Sequence, residues 1–194
     1  MIRTGSLIVI GLGLGLIAAP SVAQARPAAR GFYAEAGLGA VAMLADGADA
    51  AAVGPVLALR LGYDLTPWLS LGVAAGASSH EATVPPPPEG QWFQLYQGRA
   101  ELRLSGRAGA VAFFAEGGAG AAYVSSNVLA KVGFLDPGER VSLAVGAGAG
   151  LEYQLENRHY AFGLGADYWL LPGFGSLQGV EVRLFLRYTY GGAH

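Results

Sequence analysis

The residues able to carry chemistry in this chain are few. It has three histidines and no cysteine, which excludes thiolate nucleophiles, thiolate metal sites and disulfides. The most enzyme-like run is Ser78-Ser79-His80-Glu81, where a histidine could serve as base toward a serine hydroxyl with a carboxylate behind it. Adjacent residues on an extended chain point to opposite sides, however, and triads draw their members from separate elements. His80 is therefore read as a solvated loop residue, His159 as a turn residue beside Arg158, and His194 as a terminal residue. No pair of histidines has metal-ligand spacing.

Two glycine strings, Gly11–Gly15 and Gly146–Gly150, have the look of phosphate loops. The first lies in a leader expected to be removed; the second sits mid-strand with no helix after it whose N-terminus would hold a phosphate, and inward glycines there make room for large neighbours. Asp46-Gly47-Ala48-Asp49 supplies two carboxylates, far short of the six to eight oxygens of a calcium site. Pro85, Pro86, Pro87 and Pro88 form a stiff polyproline segment, which a partner with an aromatic groove could read. The expectation is no catalytic residue, no cofactor and no metal, with Pro85–Pro88 as a candidate loop contact.

The elements that position these residues are set by composition and period. The 194 residues include 31 glycines, 13% charged residues and a net charge of −2. A chain this apolar is not disordered, and it has no basic footprint for nucleic acid. Residues 1–25 read as a cleaved signal peptide: Arg3, an uncharged run from Leu7 to Ala19, Pro20, and the small-x-small site Ala23-Gln24-Ala25. Residues 26–194 are expected to form a single exported domain.

Beyond residue 30 the apolar residues recur with period two, the signature of strands. Eight segments alternate in this way, starting near Phe32, Leu57, Leu69, Tyr96, Val111, Val141, Tyr160 and Val180. Each is about as long as a tilted strand needs to be to cross a bilayer. Short turns near 65–67, 105–109 and 155–158 alternate with longer connections at 43–54, 78–93, 124–139 and 171–178. No isolated helix is required. The predicted fold is all-β, an eight-stranded antiparallel up-and-down transmembrane barrel.

One parity of each segment is apolar and ends in aromatics, as membrane interfaces select. The other carries Glu35, Arg60, Arg99, Glu101, Arg103, Glu116, Glu152, Asp167, Glu181, Arg183 and Arg187. A soluble barrel would invert this arrangement. Eight strands enclose a lumen that side chains can just fill, so these residues are expected to form a structural network of arginine–carboxylate pairs. Reflecting the fourth and fifth segments about their turn places Arg99 near Glu116. Closing the sheet places Glu35 near Arg183 or Arg187.

These features resemble the small eight-stranded outer-membrane barrels of the OmpA, OmpX and OmpW families. In that family the last strand ends in a polar-x-Gly-x-x-aromatic-x-aromatic signal for the insertion machinery. Arg183, Tyr188 and Tyr190 match it, and Phe185 departs from the usual glycine. The resemblance implies a bacterial outer-membrane location, with membrane lipid, the insertion machinery and other envelope proteins as partners. The reading is a non-enzymatic scaffold that displays extracellular loops. Its alternatives are an accessory subunit of a trans-envelope complex (secretion or gliding motility) and a narrow channel for small solutes.

Overall fold

The computed structural model describes residues 30–83, 91–125, 138, 140–156 and 159–191. The leader with its glycine string, Pro85–Pro88, Arg158 and His194 lie outside them. Eight strands run up and down: β1 (Gly31–Leu44), β2 (Gly54–Asp64), β3 (Leu69–Glu81), β4 (Trp92–Ala108), β5 (Val111–Val124), β6 (Val141–Gln154), β7 (Tyr160–Leu171) and β8 (Leu177–Gly191). All neighbours are antiparallel, and β8 pairs with β1 to close the barrel. Closure leaves no sheet edge, so the backbone polar groups of the wall are paired within it, as hydrocarbon surroundings demand.

Exposure follows the period-two pattern. Leu38 and Leu184, opposed in the β1–β8 ladder, are 69% and 68% exposed, while Arg183 and Asp167 are 1% and 2% exposed. Greasy side chains outside and ionic ones inside reverse the arrangement of a soluble protein. Aromatics ring the outer wall at both ends. At the turn end Phe32 meets Tyr63 at 5.0 Å, Tyr160 meets Tyr188 at 4.8 Å, and Tyr188 meets Tyr190 at 4.5 Å. At the loop end Tyr96 and Tyr123 lie 6.2 Å apart, with Trp92 and Tyr168 also exposed.

Among the differences from the sequence expectation, two concern the β4–β5 turn and the first long connection. The β4–β5 turn is the dipeptide Gly109-Ala110, where Gly109 takes a left-handed φ of 62° that glycine adopts without strain. β4 therefore runs on to Ala108, and the register moves so that Arg103 faces Glu116 while Arg99 faces Gly120. The expected Arg99–Glu116 pairing is replaced by Arg103–Glu116. The second difference is a short helix, α1 (Asp46–Ala50), in the first long connection, where no helix was required. It packs beside β1 and β8 at the loop end, and Ala50 and Ala51 are buried there.

Candidate functional site

The inside of the barrel is the place where polar chemistry gathers, and it is layered along the axis. At the turn end, Arg187 donates from Nη2 to both carboxylate oxygens of Asp64 at 2.6 and 2.7 Å, and Ser70 Oγ donates to Asp64 at 2.6 Å. Arg187 and Arg107 flank Glu152 at 3.6 and 3.7 Å. These groups border a shallow cavity of about 30 Å³.

A collar of Tyr33, Phe114 and Phe185 lies above it. The Arg187 guanidinium stacks on Tyr33 at 3.9 Å from below, and that of Arg103 on Phe114 at 4.3 Å. The rings fit because glycine faces them. A Cβ at Gly150 would strike the Phe114 ring, and one at Gly163 the Phe185 ring.

The central layer holds nine ionic side chains. Arg60 is its hub: Nε donates to Glu101 at 2.8 Å, Nη1 to Glu35 at 3.0 Å, and Nη2 lies 3.1 Å from Glu116 and 3.4 Å from Asp167. Arg103 bridges Glu116 at 2.8 Å and Glu35 at 3.0 Å. Arg183 donates to Glu116 at 2.6 Å and to Asp167, and lies 3.9 Å from Glu35 and 3.6 Å from Glu181. Arg99 pairs with Glu101 at 3.0 Å. Ions moved from water into such an interior lose several kcal/mol of hydration each, and close multidentate pairing offsets that loss.

At the loop end the lumen is apolar. Val41, Met43, Val56, Phe93, Leu95, Trp169, Leu171, Phe174 and Leu177 form one buried cluster. Between it and the central layer lies a cavity of about 20 Å³ bordered by Ser78, Gln97, Arg99 and Glu181. His80 belongs to this end, and its placement corrects the loop reading: it is an inward residue of β3, 0% exposed and stacked on Phe93 at 5.4 Å. Its Nδ1 lies 3.0 Å from the carbonyl oxygen of Ala52, which can only accept, so Nδ1 carries the proton. Nε2 then accepts from Ser78 Oγ at 2.9 Å. The serine and histidine two residues apart share a face, but both are buried, His80 against Ala52, Gly54 and Phe93.

All eleven ionic residues named from sequence parity point inward, and two outside that list join them at the turn end, the buried Asp64 paired with Arg187 and the exposed Arg107 near Glu152. Glu35 lies opposite Arg187 in the ladder and within 3.9 Å of Arg183, though its closest partners are Arg60 and Arg103. The apolar cluster was missed. Its signal is a loss of alternation in Val41-Ala42-Met43-Leu44 and Tyr168-Trp169-Leu170-Leu171, where both parities turn hydrophobic. Among the described residues no group of three or more His, Asp or Glu is arranged to hold a metal ion. Asp49 belongs to α1.

An aliphatic exterior between aromatic girdles, around a lumen packed with ion pairs, defines a small closed transmembrane β-barrel of the outer-membrane kind. The family model for the outer membrane protein β-barrel domain matches residues 10–185, and the chain belongs to this family. It is a bacterial outer-membrane protein. Among solved structures it is similar to Neisserial surface protein A (15% identity, TM-score 0.61, covering 82% of this chain and 97% of that one). It is also similar to OprG of Pseudomonas aeruginosa (14% identity, TM-score 0.59, 86% and 99% covered). The outer membrane enzyme PagL is a more distant likeness (19% identity, TM-score 0.50, 80% and 98% covered). No curated protein sequence matches the chain. At these identities the likeness is one of fold.

Proposed function

We propose that the protein is a non-conducting, non-enzymatic scaffold that holds its four long connections outside the cell on a rigid lipid-solvated wall. The observation that carries this reading is the double closure of the lumen, by the nine-membered ionic layer and by the apolar cluster above it. A continuous water path needs polar walls and room for successive waters. The cavities of about 20 and 30 Å³ hold little more than one or two each. The burial of Ser78 and His80 supports the same reading over lipid-modifying chemistry at that pair, because an acyl chain in the membrane would have no route to them.

The partners of such a scaffold are outer-membrane lipid, the insertion machinery that reads Arg183, Tyr188 and Tyr190, and envelope proteins that meet the loops, with Pro85–Pro88 as the candidate contact. The accessory-subunit reading has one observation in its favour. The outer face of β5 and β6 presents Ala115, Gly117, Ala119, Ala121, Ala147 and Ala149, small residues that let another wall approach closely. Planar-bilayer recording of the refolded protein tests the main proposal. Silent membranes at high protein load are expected, and a reproducible unit conductance would refute it.

A further inference from the structure

The central ionic layer does not balance. It holds five carboxylates (Glu35, Glu101, Glu116, Asp167 and Glu181) against four guanidiniums (Arg60, Arg99, Arg103 and Arg183). The turn-end layer below the aromatic collar is even, with Asp64 and Glu152 against Arg107 and Arg187. One negative charge in the sealed centre thus lacks a counter-ion.

The carboxylates are not equal candidates for it. Glu35, Glu116 and Glu101 each have at least two guanidinium contacts within 3.1 Å, and Asp167 is hydrogen-bonded to Arg183. Glu181 has a single ion-pair contact among the described residues, 3.6 Å from Arg183, which is too long for a hydrogen bond, and its Oε1 has no hydrogen-bond partner. Its neighbour across the β7–β8 ladder is Asp167. Side chains directly opposite on one face lie about 5 Å apart, so two ionised carboxylates would repel there. Two acids sharing one site resolve this by keeping a proton between them.

We infer that Glu181 is a proton-binding site: a neutral carboxylic acid held in the lumen at neutral pH. The cavity of about 20 Å³ beside it has room for a single water. Glu181 is only 7% exposed, and Arg99, which also borders that space, turns its unpartnered Nη1 toward Gly146 of β6. A water there donates to Oε1 as the acid's carbonyl oxygen, giving the orphaned atom a partner. A metal cation does not fit, because a guanidinium lines the same wall and the space cannot hold an ion with its oxygens.

The charged groups around Glu181 agree with one retained proton. From β2 and β8 come Arg60 and Arg183, each already engaged with other carboxylates. From β4 come Arg99 and Glu101, which pair with each other; from β5 comes Glu116, held by Arg60, Arg103 and Arg183; from β7 comes Asp167; and β1 places Val41 opposite and Glu35, held by Arg60 and Arg103, in the same layer.

Infrared spectroscopy of the refolded full-length protein in lipid at neutral pH tests this. The wild type should show a protonated-carboxyl C=O stretch that shifts in D2O, is unchanged when sodium is exchanged for potassium, and is lost in Glu181→Gln. Asp167→Asn should also abolish it, because the centre is then balanced with Glu181 ionised. Unfolding should become up to tenfold more favourable per pH unit through the neutral range in the wild type relative to Glu181→Gln. Absence of the band in the wild type would overturn the assignment whether or not either variant folds. So would its persistence in Glu181→Gln or Asp167→Asn, or its appearance only after sodium and potassium are removed.

Discussion

Replacing Arg60 by methionine gives the sharpest test of the idea that paired ions, rather than water, fill the barrel. Methionine keeps the stem of the side chain and removes contacts to four carboxylates at 2.8 to 3.4 Å. Glu35 retains Arg103, Glu116 retains Arg103 and Arg183, and Glu101 retains only Arg99. The centre then carries one more uncompensated negative charge in a closed space. Removing one partner from a buried pair costs about 3–5 kcal/mol, which corresponds to roughly a hundred- to a thousand-fold or more in the folding equilibrium. The measurement is the urea midpoint and slope of the refolded protein in micelles, followed by tryptophan fluorescence. Adding Glu101→Gln removes a carboxylate left with a single guanidinium, and the double variant should recover on the order of 1–3 kcal/mol. A loss below about 1 kcal/mol for Arg60→Met is the size found for solvent-exposed pairs. That result, or strict additivity in the double variant, would mean that water screens the network and that the lumen is open.

Two further outcomes follow from which way side chains face. Leu184→Arg places a charge at the middle of β8 on the lipid side, and it should lower stability by about 2–4 kcal/mol in lipid vesicles; an unchanged unfolding midpoint would contradict the outward assignment. Brominated lipid should quench the fluorescence of Trp68 and Trp92, which are 57% and 54% exposed, and leave Trp169 bright, since it is 0% exposed. Single-tryptophan variants check this, and strong quenching of a Trp169-only protein would place the apolar cluster on the wrong side of the wall.

Much of the architecture is legible in the order of residues because strand alternation is a local property. Arg99, Glu101 and Arg103 share a face whatever lies beside them, and so do Leu59 and Leu61. Partner choice is different. Arg99 and Arg103 are equivalent by parity, and only the location of the Gly109-Ala110 turn decides which of them meets Glu116. His80 shows the same limit. Its run of small and polar residues reads as a loop, yet β3 continues to Glu81 because Phe93 stacks on the imidazole and Ala52 caps its Nδ1. Both contacts come from segments beyond the strand itself.

The chain alone determines eight membrane-crossing staves, their inner and outer faces, and the aromatic belts, since each depends on a repeat of two along a pleated backbone. The three-dimensional structure decides what those faces do once the sheet is rolled shut. Arg60 gathers four acids from four different strands, Glu181 is left facing Asp167, and Val41, Phe93 and Trp169 meet under α1. Closure sets the distances across the lumen, and those distances govern which charges cancel and which must keep a proton.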